Sequence, residues 1–165
     1  MRRWLRAATI AGVVAGTGLV VAVAAATAGT TQVSGVGEFD TSCVPPPAAG
    51  GVPADLGDYP PMELEGSLVG CWYTYVSDAK AQPSGTYLEK GTETFVGCLN
   101  GTTCGTFTTT YTFTGKFAPS GAEIHGRCEH SIVGGTGGFD GMSGVINFKD
   151  DVDAGLFFYR GNIRS

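Results

Sequence analysis

The chain has 165 residues, enough for one compact domain, and its 15 acidic against 10 basic residues give a net charge of −5 at pH 7. Such a charge argues against nucleic-acid binding, which depends on Lys and Arg side chains that neutralise phosphates. The 27 glycines, the frequent threonines and the lack of any long 3.6-residue apolar period favour an all-β fold over a helical one.

The first 28 residues have the order of an export signal. Arg2, Arg3 and Arg6 precede an uncharged apolar run over residues 7–26, which ends in small residues. This order predicts a signal peptide over residues 1–28 and a secreted, extracellular protein with no stable membrane insertion after cleavage. The alternative is an uncleaved anchor, because the run is about long enough to span a bilayer. Removal of the three arginines leaves 7 basic against 15 acidic residues, a net charge near −8.

Residues 29–62 are rich in Gly, Pro, Ala and Thr and contain two stiff proline runs, at 45–47 and 60–61. This composition predicts a linker or wrapping arm outside the folded domain. Cys43 lies within this segment, and a disulfide from it would tie the arm to the domain. Without that bond we expect the arm to be disordered.

The remainder, residues 63–165, shows strand-length segments at the even spacing of a small antiparallel up-and-down β-barrel. We place six strands near residues 63–76, 86–98, 104–117, 122–133, 142–150 and 155–163. A barrel of eight strands would require two of these to be split at a bulge or turn, and Gly91 is one candidate for such a break. The prediction is therefore an all-β barrel of six to eight strands.

Alternation of side chains along a strand assigns the residues that face the barrel interior. On the third strand the aromatic residues share one side and the threonines the other, so the aromatic side should face inward. The same test predicts these inward residues: Leu64, Leu68, Trp72, Glu93, Phe95, Phe107, Tyr111, Phe113, Phe117, Ile124, Gly126, Cys128, His130, Ile132, Phe157, Tyr159 and Ile163. It predicts these outward residues on the fourth strand: Glu123, His125, Arg127, Glu129 and Ser131. On the last strand Leu156 and Phe158 also suit a core.

The five cysteines of a short exported chain indicate disulfides, with one residue left over. Cys98 and Cys104 flank the Asn-Gly pair of a predicted hairpin and are expected to be bonded. Alternation puts Cys71 outside and Cys128 inside, which disfavours a bond between them. We therefore predict that Cys43 bonds Cys71 and clamps the arm across the outer surface, and that Cys128 is free.

Six glycines fall within residues 134–144, where they punctuate two apolar runs and mark a sharp turn between strands around Phe139. The pattern Val-Gly-Gly-Thr-Gly-x-Phe-x-Gly-x-x-Gly over residues 133–144 resembles the signature of dirigent proteins and of allene oxide cyclase-like barrels. Gly70-Cys71-Trp72 is similar to the Gly-x-Trp of calycin barrels. The resemblance implies an eight-stranded barrel with a largely apolar cavity. The matched positions are turn glycines and Phe139, so no catalytic residue is carried over.

A barrel of this size either fills its interior with side chains or leaves room for one small ligand. Its inward aromatic residues are thus either core or the lining of an apolar ligand site, and they are Trp72, Phe95, Tyr111, Phe113, Phe157 and Tyr159. In the second case the hydroxyls of Tyr111 and Tyr159 would orient the ligand.

Three further inward groups are candidates for chemistry. A buried carboxylate must be paired, hydrogen-bonded or protonated, which makes Glu93 a candidate general acid; the alternative is a salt bridge to Lys90 or Arg127. Cys128 near His130 would suit nucleophilic or acid-base catalysis, whereas a thiol that packs as a small apolar group is the alternative. The candidate catalytic residues are thus Glu93, Tyr111, Tyr159, Cys128 and His130.

These observations support three hypotheses of function. The first is a secreted barrel that binds a small hydrophobic ligand, and the second is an isomerase or cyclase of the kind that the resemblance implies, which steers the cyclisation or coupling of a reactive polyene or radical pair. The third is a cell-surface structural or interaction protein with a packed interior.

We expect no cofactor and no metal, since His125 and His130 fall on opposite faces and Asp150, Asp151 and Asp153 fit a hairpin turn better than a calcium loop. A homo-oligomer remains open.

Overall fold

A computed structural model describes residues 29–165, in which eight antiparallel strands form a closed barrel. The predicted signal peptide over residues 1–28 lies outside the described residues. Each strand pairs with the next along the chain, and β8 closes the barrel against β1. The strands are β1 (Thr30–Phe39), β2 (Met62–Gly66), β3 (Leu68–Ala81), β4 (Thr86–Leu99), β5 (Thr103–Phe117), β6 (Glu123–Gly137), β7 (Ser143–Asp151) and β8 (Leu156–Arg164).

This architecture confirms the predicted all-β, antiparallel up-and-down barrel, and the two strands beyond the six predicted come from one split strand and from the predicted arm. The first predicted strand is divided into β2 and β3 at Ser67, next to Gly66 with its positive φ of 110°. Gly91 is not a break, because it pairs with Val76 on one side and Tyr111 on the other. Within residues 29–165, no helix reaches the length and hydropathy that crossing a bilayer requires.

The eighth strand, β1, lies inside the segment that we predicted to be a linker or arm. Its inward positions alternate as Val33, Gly35, Gly37 and Phe39, so they lack the run of large apolar side chains that identifies a strand. Glycine occupies position 35 because there is no space for a side chain, since a Cβ there would overlap the ring of Tyr159. The predicted domain boundary at residue 63 therefore falls within the barrel, and only residues 40–61 form a connection between strands.

This connection, which we call the arm (residues 40–61), packs against the outer surface of the barrel. The disulfide Cys43–Cys71 joins it to β3, and Cys98–Cys104 closes the β4–β5 hairpin, as predicted. A small apolar cluster lies beneath the arm and contains Ala49, Cys71, Tyr73, Val96 and Cys98. The arm is therefore an ordered cover of β3 and β4 and not a flexible tether.

The main core fills one end of the barrel, which we call the closed end. Trp72, Phe95, Phe107 and Phe139 are at most 2% exposed there, and the ring centroids of Phe107 and Phe139 lie 5.1 Å apart. Phe139 enters from the β6–β7 turn, where a Cβ at Gly135 would overlap the Phe139 backbone. The glycine-rich turn thus lets the chain fold back and bring one ring into the barrel.

Candidate functional site

The opposite end of the barrel, the open end, contains a cavity of about 480 Å³. Its rim is formed where β3, β5 and β7 end and β4, β6 and β8 begin, and its walls are mainly aromatic. The lining residues are Phe39, Tyr59, Met62, Trp72, Thr74, Ala81, Gln82, Gly85, Thr86, Tyr87, Glu89, Glu93, Tyr111, Phe113, Phe117, Glu123, Cys128, His130, Phe148, Asp150 and Phe157.

Trp72 and His130 form the floor of the cavity, above the closed-end core. Their ring centroids are 5.2 Å apart in a T-shaped arrangement, and Phe148 lies 4.9 Å from the imidazole on another side. The Tyr111 ring stacks on the same imidazole at 6.1 Å. His130 is only 3% exposed. These rings enclose the imidazole and restrict its orientation.

Glu93 is buried beside this imidazole, at 5% exposure, as alternation predicted. Its Oε2 lies 2.7 Å from His130 Nε2, and its Oε1 accepts a 2.9 Å hydrogen bond from Thr74 Oγ1. The predicted alternative partners are wrong. Lys90 instead pairs with Asp78 on the surface, at 3.4 Å, and Arg127 lies on the exposed outer face of β6.

The second imidazole nitrogen also faces an acceptor, because His130 Nδ1 lies 3.2 Å from the Ile146 carbonyl oxygen. Both contacts form when the ring carries both protons beside an ionised Glu93, or when Glu93 is protonated and donates to Nε2 while Nδ1–H donates to the carbonyl oxygen. In either form one proton lies between Glu93 and His130 at the cavity floor. The pair holds a proton that either member is placed to exchange with a bound molecule.

A second buried carboxylate, Glu89, lies in the wall of the cavity at 6% exposure and was not among the residues predicted to face inward. Its Oε2 accepts hydrogen bonds from the hydroxyls of Tyr59 and Tyr87, and its Oε1 accepts one from Tyr111, each at 2.7 Å. Three hydroxyl donors match the acceptor-only, ionised form of a carboxyl group. Glu89 is four residues before Glu93 and so shares its inward face, which is the signal that was missed.

The pKa of the Tyr111 phenol is raised, first by burial and then by the hydrogen bond to Glu89. The same two causes, in the same order, raise the pKa of Tyr59. Both hydroxyls therefore keep their protons and act as hydrogen-bond donors in the cavity. Each hydroxyl donates its single proton to Glu89, so the two phenols fix the position of that carboxylate and are unsuited to act as bases.

A third acidic group lies at the rim, where Asp150 of β7 meets Glu123 of β6. A Cβ at Gly126 would overlap a carboxyl oxygen of each, so the glycine leaves the space that both occupy. Glu123 Oε1 is buried without a hydrogen-bond partner, and the donor that satisfies two facing carboxyl groups is a shared proton. Burial, and then the contact with Glu123, raises the pKa of Asp150 to about 7.

The raised pKa of Asp150 predicts that the barrel loses stability as the pH rises from about 4 to about 7. In that window the folded protein holds a proton on Asp150 that the unfolded chain, with an ordinary aspartate pKa near 3.8, has released. This contribution to stability is fully present below the aspartate pKa of the unfolded chain and is lost as the pH rises above about 7. Urea unfolding across this window should give a smaller pH slope for Asp150→Asn than for the wild type. Asp153→Asn, on the exposed turn, is the control, and equal slopes in all three proteins would contradict the assignment.

Cys128 lines the cavity from β6 and is free, as predicted. Its thiol pKa is raised, first by burial and then by the charge of Glu93. A thiol with a raised pKa holds its proton, and the thiolate is the nucleophilic form. The structure thus favours Cys128 as a small wall residue over Cys128 as a nucleophile activated by His130.

The predicted ligand-lining residues divide into two groups. Trp72, Tyr111, Phe113 and Phe157 line the cavity, and so do the candidate catalytic residues Glu93, Cys128 and His130. Phe95 and Tyr159 do not. Phe95 packs on Phe107 at 4.9 Å in the closed-end core, and the Tyr159 hydroxyl accepts a 2.8 Å hydrogen bond from the Leu68 amide.

One stretch of β6 faces the opposite way from the prediction. Ile124 is 55% exposed, although it was expected inside, and Glu123 lines the cavity although it was expected outside. The cause is an irregularity in the β5–β6 pairing between Lys116 and Phe117, which shifts the register by one residue. Beyond it, from Gly126 to Ile132, alternation assigns the faces correctly.

Comparison of the chain with protein-family models, with curated proteins and with solved structures finds no match.

Proposed function

We propose that this protein is a binding protein that holds one small, largely apolar molecule in the open end of its barrel. The observation that carries the proposal is the cavity of about 480 Å³, whose volume lies within the range of small-molecule sites. Its floor and walls are aromatic, and its few polar groups converge inward from the strands. This combination of an apolar surface and a small number of placed polar groups is typical of ligand pockets.

The hypothesis of a packed structural barrel has less support. The closed end is packed as this hypothesis requires, because Phe95, Phe107 and Phe139 fill the interior there. The open end does not, since the same strands continue past Trp72 without side chains that fill the space. Burial of a carboxyl group requires dedicated partners, as Glu89 and Glu93 have here, and a protein that needed only a rigid surface would fill the same space with apolar side chains.

A second candidate function is the isomerase or cyclase that the dirigent-like and allene oxide cyclase-like resemblance implies. The observation that favours it is the Glu93–His130 pair, at 2.7 Å, on the cavity floor. A carboxylate and an imidazole in contact form a proton-transfer pair within reach of a bound molecule. In this case the walls would fold the substrate and the pair would move one proton, so binding in the cavity is common to both candidates.

The two disulfides are typical of proteins in an oxidising compartment. Together with the arginine-led apolar segment at residues 1–28, they support the proposal that the protein is secreted and meets its ligand outside the cell.

Titration with N-phenyl-1-naphthylamine, a neutral apolar dye whose fluorescence rises in apolar surroundings, tests binding in the cavity. We expect saturable binding at one site per chain and displacement by 1-octanol. Cys128→Phe places a ring in the cavity and should weaken dye binding by about tenfold or more, since it removes volume that the dye needs.

Val133→Phe is the matched control, because it adds the same ring to the same strand at a residue that is 60% exposed. It should bind the dye like the wild type. Thermal melts of both variants verify that they are folded. No saturable dye binding, or equal binding by the two variants, would refute the proposed function.

A further inference from the structure

The carboxyl groups of the cavity are not matched by an equal number of basic groups. Glu89, Glu93, Glu123 and Asp150 all line it. Among the lining residues that the structure describes there is no Lys or Arg, and His130 is the one basic side chain. His130 is committed to Glu93, so Glu89 and the Asp150–Glu123 pair are left without a positive partner.

The basic residues near the open end have other partners or are exposed on the outer surface, as Lys80 is at the end of β3. Lys116 donates to the Ser84 carbonyl oxygen in the β3–β4 hairpin, and Lys90 pairs with Asp78 on the surface. Arg127 and Lys149 are neighbours on the exposed outer face of β6 and β7. The interior charge of the cavity is therefore negative, and it is set by Glu89 in the wall and by the shared-proton pair at the rim.

The aromatic walls of the cavity also favour a positively charged ligand. Aromatic faces attract cations through their quadrupole, and such contacts strengthen where water is excluded. Tyr87 and Phe113 flank the Glu89 side chain along the strands, while Trp72 and Phe148 form the deeper surface. A positive head group near Glu89 would thus have a carboxylate on one side and aromatic rings on others.

Building on the proposed function, we propose that the ligand is an amphipathic cation, an ammonium group on a small apolar body. The apolar body lies on the Trp72 and Phe148 floor, and the ammonium group lies between Glu89 and the rim. Glu89 and Glu93 are four residues apart on one strand, so their Cα atoms are separated by roughly 13 Å. Glu89 therefore lies near the level proposed for the ammonium group, whereas Glu93 lies at the floor. The floor itself carries the paired Glu93 and His130 and so holds no unmatched charge.

Three molecules of equal chain length test this proposal by competition with N-phenyl-1-naphthylamine: n-octylamine, 1-octanol and n-octanoate. Competition with the dye restricts the readout to the cavity and excludes amine bound to the acidic outer surface. We expect octylamine to bind roughly 10- to 100-fold more tightly than octanol, the gain of one charge-assisted hydrogen bond, and octanoate to bind most weakly.

The outcomes separate the two proposals. If octanol displaces the dye and octylamine is no better, the cation proposal is wrong and the binding function stands. If octanoate binds most tightly, the ligand is an anion and the cation proposal is equally wrong. If the dye does not bind at all, the binding function itself fails.

Two variants locate the head group. Glu89→Gln should lose the preference for octylamine over octanol, measured as the ratio of the two displacement constants within the same variant. Glu129→Gln makes the same change on the exposed outer face of β6 and should keep the preference. If Glu89→Gln does not fold, Asp150→Asn at the rim should reduce the preference in the same direction. An unchanged preference in whichever of these two variants folds would overturn the assignment of the ammonium position.

Discussion

Replacement of His130 by alanine is expected to destabilise the barrel by about 3–5 kcal/mol, because it leaves the buried Glu93 carboxyl group without its imidazole partner. Glu93 is 5% exposed, and its other contacts are to the hydroxyls of Thr74 and Thr109. These two hydroxyls do not replace the 2.7 Å contact with the imidazole. The substitution also removes a ring from contact with Trp72 and Phe148, which adds a packing loss to the electrostatic one.

Urea unfolding followed by circular dichroism measures this change. His125→Ala is the matched control, because it removes the same side chain from the exposed outer face of the same strand and should change stability by no more than about 0.5 kcal/mol. The double variant Glu93→Gln with His130→Phe should be more stable than His130→Ala alone, because it removes both ionisable groups and keeps a ring. A loss below 1 kcal/mol for His130→Ala would show that the pair is not buried in the way described.

Phe139→Ala is expected to cost a similar amount, about 3–5 kcal/mol, through the cavity that it leaves at the closed end. Phe139 is fully buried, and its ring lies 5.1 Å from that of Phe107 and 6.0 Å from that of Phe95. These neighbours belong to different strands of the barrel, so they have little freedom to collapse into the space. The residue is therefore expected to anchor the β6–β7 turn to the core.

The control for this experiment is Phe158→Ala on the outer face of β8, where the side chain is 49% exposed. It should change stability by well under half as much as Phe139→Ala. Binding of N-phenyl-1-naphthylamine should survive in Phe139→Ala wherever the protein is folded, since Phe139 does not line the open-end cavity. Equal losses for the two phenylalanines would contradict the division of the interior into a packed end and a hollow end.

Period-two alternation predicted the inner face of most strands because a closed barrel puts every second residue inside. It placed Trp72, Glu93 and His130 correctly, and through Cys71 and Cys128 it also led to the disulfide scheme. It failed at Ile124, where the irregularity next to Phe117 shifted the register. Such a local irregularity depends on how two strands meet and is not visible in the pattern of either one.

The closing strand β1 was missed for a different physical reason. Side chains of the neighbouring strands fill the interior beside it, and Tyr159 of β8 would overlap a Cβ at Gly35. Met62 and Leu64 of β2 would overlap a Cβ at Gly37. Both glycines therefore occupy positions where other strands carry large side chains. Its pairing partner β8 is more than a hundred residues away along the chain. The composition of β1 therefore resembles a linker, and only the complete barrel explains why it is a strand.

In the candidate site, the position of Glu89 could be predicted from the sequence, but its contacts could not. Position on the inner face of β4 could be predicted for Glu89 in the same way as for Glu93. Its contact with Tyr59 could not, because Tyr59 comes from the arm, whose path over the barrel follows from the Cys43–Cys71 bond and from hydrogen bonds such as that of the Val76 amide with Asp58. Contacts that depend on the path of a long connection have no local pattern in the sequence.

A crystal structure of the protein grown with n-octylamine tests the central claim most directly. We expect electron density for the amine inside the open end, with the alkyl chain against Trp72 and Phe148. The nitrogen should lie within hydrogen-bond distance of the Glu89 carboxylate or of the Asp150–Glu123 pair. An interior filled by side chains at that end, or amine bound only on the outer surface of the barrel, would contradict it.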